Sequence, residues 1–243
     1  MLDYKTFEEK FIYYFKKYNI ETSENIIKDF YVFTDYFLSE NEKYNLTSIT
    51  DTDEIITKHY IDSVIILKYF DIPENSKIID IGTGAGFPAM PLYIMRRDLN
   101  ITFLDSSNKK INFIKNAVNL INGVGYKFYC SRAEDLGRDL NIRETYDLAV
   151  SRAVAKLNVL CELAAPLIKP GGFFISYKGR NAEEEIDEAE NAVKILGLKI
   201  FETQEFDLSN DNENKRMLIK IKKIKKTPFK YPRILSVLTQ NPL

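Results

Sequence analysis

The stretch that decides the fold is Ile79-Asp80-Ile81-Gly82-Thr83-Gly84-Ala85-Gly86-Phe87-Pro88, where an apolar run leads directly into a glycine-dense turn. Glycine tolerates positive φ angles and lets a ligand approach the backbone closely. Such a turn, between an apolar strand and a helix, is typical of nucleotide-binding βαβ units. The dinucleotide fingerprint G-x-G-x-x-G is not matched, because Phe87 stands at its last position and Gly86 comes one residue earlier.

An acidic residue ends the next predicted strand. Asp105 follows Gly86 by 19 residues (105 minus 86), where such folds bind the two ribose hydroxyls of a nucleoside, because a carboxylate accepts both hydrogen bonds. NAD would use the same acid, but Pro88 removes one of the amide donors that a pyrophosphate needs at a helix N-terminus. The pattern Asp-x-Gly-x-Gly-x-Gly resembles motif I of the class I S-adenosylmethionine methyltransferases. This resemblance implies that S-adenosylmethionine is the cofactor.

After Pro73, short apolar runs alternate with helical patterns, which predicts an α/β fold with a mostly parallel sheet. The predicted strands are residues 77–81, 101–104, 126–130, 146–150, 173–177, 199–206 and 215–224. The predicted helices between them are residues 87–97, 109–121, 157–168 and 182–196. The last two strands are joined by a loop rich in Asn and Asp, too short for a crossover helix, so they are predicted to be antiparallel. The fold class is therefore a Rossmann-like methyltransferase sheet of about seven strands with an antiparallel last strand.

Aromatic residues recur at helical spacing before this sheet. One apolar stripe contains Phe7, Phe11, Tyr14, Phe15 and Tyr18, and a second contains Ile26, Phe30, Phe33 and Phe37. Core packing explains this spacing better than a base-stacking surface. A third helix is predicted over 53–70, after a polar connection at 41–51. We therefore divide the chain into a helical extension (1–70), a catalytic core (71–226) and a basic tail (227–243) that Pro228, Pro232 and Pro242 keep irregular.

Composition excludes several classes of protein. With 45% hydrophobic and 28% charged residues, and no run near the ~18 apolar residues that a membrane span requires, we expect no membrane segment. The N-terminus lacks the pattern of a secretory signal, so a cytoplasmic location is expected. Two cysteines and one histidine predict neither a disulfide framework nor a zinc site.

The net charge of −1 conceals an uneven distribution. Residues 1–70 contain eight Lys and thirteen Asp or Glu, whereas residues 215–243 contain nine Lys or Arg and no acid. This basic end is either an RNA contact or the solvated face of an edge strand that carries Lys220 and Lys222. The sequence leaves both interpretations open.

Several further segments together resemble one family, the bacterial 16S ribosomal RNA guanine-N7 methyltransferases, also called glucose-inhibited division protein B. The segments are Tyr44-Asn45-Leu46-Thr47-Ser48, His59-Tyr60-Ile61-Asp62-Ser63, Asp80 to Pro88, Leu104-Asp105-Ser106, Ser131-Arg132-Ala133-Glu134, Ser151-Arg152-Ala153, Tyr177-Lys178-Gly179 and Lys230-Tyr231-Pro232-Arg233. The resemblance covers the chain from about Tyr44 to the end. It fails at 234–240, where the family has a glycine-rich, proline-containing stretch.

The resemblance implies a substrate, partners and site residues. The substrate would be a guanine in the decoding-region loop of 16S rRNA, in the small ribosomal subunit, and the enzyme is expected to be a monomer. The candidate cofactor-binding residues are Asp80, Gly82, Gly84, Gly86, Phe87, Asp105, Ser106, Ala133, Glu134 and Arg152. The candidates for positioning the guanine or the RNA are Asn45, His59, Arg152 and Lys178.

The chemistry of this reaction requires no general base, because guanine N7 has an in-plane lone pair and no proton to lose. Placement carries the catalysis, and orientation alone supplies up to ~7–11 kcal/mol. A donor on N7 would block the nucleophile, so donors such as Arg152 and Lys178 are expected to address O6 and the phosphates. A structural alternative for Arg152 is an ion pair with Asp80 or Glu134.

Other methyl-transfer chemistries lack their motifs. Ser151-Arg152-Ala153-Val154 replaces the Asn/Asp-Pro-Pro-Tyr/Phe motif of adenine-N6 enzymes. Neither Cys130 nor Cys161 has the Pro-Cys or Thr-Cys context of cytosine-C5 enzymes, and both are interpreted as small core residues. Three alternatives remain: a small-molecule methyltransferase with the helical extension as a lid, a ribosome-assembly factor that only binds S-adenosylmethionine, and an NAD-dependent oxidoreductase. The last is disfavoured by the displaced third glycine and because no Tyr-x-x-x-Lys or His relay follows the glycine-dense turn.

Overall fold

The sheet has the strand order β3-β2-β1-β4-β5-β7-β6 in the computed structural model, which describes residues 2–208 and 215–243. Its strands are β1 Lys77–Ile81, β2 Asn100–Asp105, β3 Tyr126–Cys130, β4 Tyr146–Arg152, β5 Ile168–Lys178, β6 Leu198–Asp207 and β7 Lys215–Lys223. Strands β1 to β5 pair in parallel, and β7 runs antiparallel to both β5 and β6. The predicted fold class is confirmed.

The central strands are buried on both faces, as their continuous apolar runs indicate. On β1, Ile78 packs into the cluster that contains the N-terminal helices, whereas Ile79 and Ile81 pack into the cluster on the opposite face. The prediction of 173–177 for β5 is too short, because the strand already begins at Ile168 and passes a register shift opposite β4. The Pro170-Gly171-Gly172 segment therefore lies within the strand rather than before it.

Two long helices, α1 (Tyr4–Lys17) and α2 (Glu24–Tyr44), precede the sheet. The phenylalanines of both stripes are buried in one cluster with residues of β1 and β2, and Tyr14, Tyr18 and Ile26 are partly buried against it, which confirms the core-packing interpretation. The polar connection predicted at 41–51 is wrong at its start, since α2 continues to Tyr44. Asn41 is buried and its Oδ1 accepts a hydrogen bond from the Thr47 N–H at 2.8 Å, and Asn45 then ends the helix with φ of 49°.

The helix predicted at 53–70 is not continuous. It consists of α3 (Thr52–Glu54), a π-helical segment (Ile55–Ile61), α4 (Asp62–Val64) and α5 (Ile66–Tyr69). A π-helical turn inserts extra residues into a helix and re-aims its side chains, often at a functional site. Here the π-helical segment carries His59.

The helices that follow cross between or cover the strands. They are α6 Ala89–Met95, α7 Asn108–Leu120, α8 Ala133–Leu136, α9 Leu157–Ala164, α10 Ala182–Glu188, α11 Glu190–Ile195 and α12 Leu235–Gln240. The prediction of one helix over 182–196 is corrected, because the segment is interrupted at Ala189. Helix α6 begins later than predicted, since Pro88 occupies its N-cap position.

The lysines of β7 are not on an edge strand, so that interpretation is wrong. Strand β7 lies between β5 and β6, and Lys220 Nζ sits 4.5 Å from the ring centre of Phe70. Lys223 is fully buried, where its Nζ donates to Glu144 Oε1 at 2.9 Å and to Thr227 Oγ1 at 2.7 Å. The ammonium groups of Lys220 and Lys223 therefore make contacts within the protein. Most of the predicted Asn- and Asp-rich loop, residues 209–214, lies outside the described residues.

The prediction of an irregular C-terminal tail is also wrong. Residues 235–240 form α12, and both Tyr231 and Leu238 are buried. Prolines at 228, 232 and 242 flank this helix without interrupting it. Among the described residues, no helix is both long and apolar enough to cross a membrane.

Candidate active site

A cavity of about 620 Å³ opens at the carboxyl ends of β1 to β4, where ligands bind in such sheets. Most of the predicted cofactor-binding residues line it: Gly82, Gly84, Phe87, Asp105, Ser106, Ala133, Glu134 and Arg152. Asp80 and Gly86 do not line the cavity. The structure therefore brings together residues that are separated by up to 70 positions in the chain.

The glycine-dense turn forms the floor of the cavity. Gly82, Gly84 and Gly86 have φ angles of 71°, 59° and 94°, which favour glycine. A Cβ on Gly82 would lie 2.6 Å from a γ-carbon of Val154, so this position also lacks the space for a side chain. No sequence motif indicates this role of Val154, because its contact with the turn spans 72 residues (154 minus 82).

Asp105 is held beside this turn with its carboxylate in a fixed orientation. Its Oδ2 accepts a hydrogen bond from the Gly84 N–H at 3.1 Å, and its Oδ1 accepts one from the Ser107 N–H at 2.9 Å. Lys110 Nζ lies 3.6 Å from Oδ2. Each carboxylate oxygen has two acceptor positions. Asp105 can therefore accept two further hydrogen bonds from a diol in the cavity.

Asp80 lies beneath the turn rather than in the cavity. Its Oδ2 is 3.4 Å from the Ala89 N–H at the start of α6, and no described residue donates a hydrogen bond to Oδ1. Burial raises the pKa of Asp80 to about 7, and the Thr83 hydroxyl and the Ala89 amide oppose this shift. The position suits a residue that supports the turn and the helix behind it.

Arg152 stands at the end of β4 and organises a cluster beside the cavity. Its Nη1 donates to Asp62 Oδ2 at 2.7 Å and to the Lys58 carbonyl oxygen at 3.1 Å. Its Nη2 is 3.2 Å from His59 Nδ1. The suggested pairing of Arg152 with Asp80 or Glu134 is wrong, since the partner is Asp62. Both side chains of the ion pair are largely buried, at 13% and 7% exposed.

His59 is fixed in this cluster as a neutral imidazole. Arginine only donates hydrogen bonds, so Nδ1 must accept and the ring proton must be on Nε2. Nε2 lies 3.1 Å from Thr47 Oγ1, and the ring stacks on Phe87 at 4.5 Å. Burial, with the nearby charges of Arg152 and Lys58, lowers the pKa of His59 to about 3.

We expect His59 to remain uncharged down to about pH 4, and NMR can test this directly because the chain has one histidine. The folded pKa is depressed, so the contribution to stability is full above the unfolded value near 6.5 and is lost as the pH falls toward 3. The free energy of unfolding should thus fall more steeply with acid in the native protein than in His59→Gln, by up to about 1.4 kcal/mol per pH unit. Ring resonances that titrate near pH 6.5 would contradict this assignment.

A second cavity, of about 670 Å³, lies on the other side of this cluster. The two cavities share His59, Arg152 and the segment 153–155 as a common wall. Ala153 has a φ of 56°, which is unusual for a residue with a side chain. Lys178 lines the second cavity, donates to the Ala155 carbonyl oxygen at 2.6 Å and pairs with Glu185 at 2.7 Å. Lys178 therefore holds the wall in place.

Some candidates are placed apart from the two cavities. Asn45 is exposed at the end of α2 and lines neither of them, whereas Leu46 and Thr47 line the first.

Cys161 is buried, and burial raises the pKa of its thiol to about 12. The interpretation of Cys130 as a core residue is wrong, since it is exposed at the end of the edge strand β3.

Further functional candidates carry no local sequence signal. Asp62 was part of a quoted segment, but its pairing with Arg152 is a tertiary contact that spacing does not reveal. Leu235 and Thr239 of α12 line the first cavity, and no motif indicated them. Among the described residues, no group of three or more His, Cys, Asp or Glu is placed to hold a metal ion.

Comparison with known proteins gives a consistent family. A family model described as rRNA small subunit methyltransferase G matches residues 26–215. The protein named ribosomal RNA small subunit methyltransferase G from Clostridium beijerinckii is 47% identical over 203 residues, which cover 84% of each chain. The protein of that name from Lactobacillus acidophilus is 39% identical over 237 residues, covering 97% of this chain and 98% of that one.

Solved structures share the fold at low sequence identity. M. jannaschii TYW2 in complex with AdoMet is 13% identical with a TM-score of 0.53, over 67% of this chain and 77% of that chain. The cyclase SpnF is 11% identical with a TM-score of 0.56, over 79% of this chain and 94% of that chain. Since one of these is named a cyclase, this likeness concerns the fold and not the reaction.

Proposed function

The chain belongs to the rRNA small subunit methyltransferase G family, and from this premise we propose that it methylates N7 of a guanine in the decoding-region loop of 16S rRNA. S-adenosylmethionine is the proposed methyl donor. Methyl transfer to small-subunit rRNA is the activity stated in the names of its relatives. The nucleotide, the atom and the residues below are our proposal.

The observation that carries the proposal is the pair of cavities with Arg152 and His59 in their common wall. The first cavity contains a carboxylate, Asp105, fixed by two backbone amides and still able to accept hydrogen bonds from a ribose. A carboxylate that can accept hydrogen bonds fits the ribose hydroxyls in the nucleoside of S-adenosylmethionine. The second cavity provides a separate place for the base that is methylated.

When bound, S-adenosylmethionine supplies an electrophilic methyl group on a positively charged sulfur. In the proposed mechanism the residues of the chain bind and orient the two reactants. The neutral His59, whose Nδ1 accepts from Arg152, is not placed to remove a proton, and guanine N7 has none to lose. Arg152 has five N–H groups, of which three are engaged by Asp62, Lys58 and His59. The remaining donors are available for guanine O6 or a phosphate.

The residue roles follow from these positions. Gly82, Gly84 and Asp105 hold the nucleoside. We assign the adenine to Ala133 and Glu134, because they line the same cavity just after β3, the strand next to the one that ends at Asp105. Arg152 and His59 orient the guanine, while Lys178 supports the wall between the cavities. We further propose that the substrate is the small ribosomal subunit in the cytoplasm and that the enzyme acts as a monomer.

Methyl transfer from labelled S-adenosylmethionine tests this function, with small ribosomal subunits and free 16S rRNA as parallel substrates. The expected product after digestion to nucleosides is labelled 7-methylguanosine. Label on another nucleoside would refute the proposed atom and base. Cofactor binding without any RNA labelling would instead favour a small-molecule substrate or a role in assembly.

A further inference from the structure

The C-terminal helix α12 is fastened to the catalytic core next to the first cavity. Arg233, just before the helix, donates from Nη2 to Glu162 Oε2 at 2.6 Å and from its backbone N–H to Glu162 Oε1 at 2.7 Å. The Glu162 side chain is 1% exposed and that of Arg233 is 24% exposed, so a buried carboxylate is paired with a partly buried guanidinium through several hydrogen bonds. Nη1 of Arg233 also donates to the Asn241 carbonyl oxygen at 3.0 Å. One arginine therefore fixes both ends of α12.

Apolar contacts hold the middle of the helix. Leu238 is fully buried and forms a cluster with Val159 and Leu163 of α9. Ala133 and Ala155 pack against this cluster. Helix α12 thus packs into one apolar cluster with α9, Ala133 and Ala155, all of which border the first cavity.

Two side chains of α12 face the cavity itself. Leu235 and Thr239 line it together with Val159, Leu163, Ala133 and Glu134. Asp105 marks the position of the ribose, and Ala133 and Glu134 follow the neighbouring strand β3. The cavity lined by α12 is therefore the part that lies beyond the ribose on the adenine side.

We propose that α12 is the outer wall of the adenine subsite, in which Leu235 contacts the adenine ring and Thr239 borders it. This inference rests on the proposed use of S-adenosylmethionine. It assigns the C-terminal segment to the cofactor instead of the RNA. Arg233, the charged residue of this segment that lies nearest α12, forms an ion pair with Glu162 and so fixes the helix.

The physical reason is the burial of the adenine faces. An adenine ring is flat and mostly apolar, and a site gains affinity by removing both of its faces from water. Without α12, the side chains of Val159 and Leu163 would be open to solvent on this side. Leu235 supplies an apolar contact here, whereas its neighbour Ile234 is 52% exposed and does not line the cavity.

The test is calorimetric titration of the full chain with S-adenosylmethionine and, separately, with 5′-methylthioadenosine, which keeps the adenine and ribose but lacks the amino-acid part. Leu235→Ala removes three side-chain carbons and should weaken both ligands by about 10- to 60-fold, as the loss of two to three buried carbons predicts. Ile234→Ala is the matched control and should leave both affinities and Tm unchanged. A truncation that ends at Arg233 should weaken both ligands further than Leu235→Ala.

Binding of 16S rRNA is measured on the same variants and should stay within twofold of the native protein. Unchanged ligand affinities in Leu235→Ala and in the truncation would overturn the inference while leaving the proposed function intact. Loss of RNA affinity with normal ligand affinity would also overturn it, because the segment would then be an RNA contact. If the native protein bound neither ligand, the proposed cofactor itself would be wrong.

Discussion

Replacing Arg152 with alanine is expected to lower kcat/KM for methyl transfer to 16S rRNA by about 100-fold or more, since a misplacement near 1 Å costs that much in an orientation-dependent reaction. Arg152 joins Asp62, His59 and the Lys58 carbonyl in the wall between the two cavities. Its removal releases the imidazole and takes away the donors proposed for guanine O6 or a phosphate. Initial rates at saturating and limiting RNA would be measured with labelled S-adenosylmethionine.

Arg152→Ala should also destabilise the fold, by up to about 3–5 kcal/mol, because the buried Asp62 carboxylate loses its hydrogen-bonded partner and is left with Arg216 Nε, 3.9 Å from its Oδ1. The double variant Arg152→Ala with Asp62→Asn removes that charge and should recover much of the stability but not the activity. Arg97→Ala is the matched control, since Arg97 forms a partly exposed ion pair with Asp29 far from the site. Normal methylation and cofactor affinity in Arg152→Ala would remove this residue from the mechanism.

Features that depend on neighbouring residues could be predicted from the sequence. Strand β1, the glycine-dense turn and Asp105 occupy a contiguous strand–turn–helix–strand unit, whose periodicity and glycine spacing are local signals. The alternation of strands and helices also predicted a parallel sheet. The connection between β6 and β7 is too short for a crossover helix, which predicted that these two strands are antiparallel.

Features that depend on tertiary contacts could not be predicted. Asp62 and Arg152 are 90 residues apart and meet because the start of α4, directly after the π-helical segment, lies against the end of β4. The burial of Lys223 depends on Glu144 and Thr227, which no pattern connects to it. Helix α12 is held by the Arg233–Glu162 pair and by Leu238, so its prolines were an unreliable sign of an irregular tail.

The same distinction separates binding from positioning at the site. The residues proposed to bind the nucleoside lie at the ends of neighbouring strands, where the topology of the sheet fixes their positions. The residues proposed to orient the second reactant, or to support the wall beside it, come from the π-helical segment, from β4 and from β5, and they make long-range hydrogen bonds. Variants at Asp105 and at Arg152 should therefore affect different steps.

Asp105→Ala is expected to weaken S-adenosylmethionine binding by about 10²- to 10⁴-fold, because two hydrogen bonds to a charged group, at about 1.5–3 kcal/mol each, are lost. The Gly84 and Ser107 amides also lose their acceptor, so the turn itself is less constrained. The measurement is calorimetric titration with S-adenosylmethionine, supplemented by the KM for the cofactor at saturating RNA. The rate at saturating cofactor should fall much less than the affinity.

Asp147→Ala is the matched control for this variant. Asp147 also accepts a hydrogen bond from a backbone amide, that of Lys77 at 2.7 Å, and pairs with Lys169, but it lies near the opposite end of β4. Both variants remove a strand carboxylate with a backbone partner, so both should lose stability, whereas only Asp105→Ala should lose the cofactor. If the two variants bound S-adenosylmethionine equally well, Asp105 would not hold the ribose. If Asp105→Ala kept its affinity for 5′-methylthioadenosine but lost it for S-adenosylmethionine, the carboxylate would act on the amino-acid part instead.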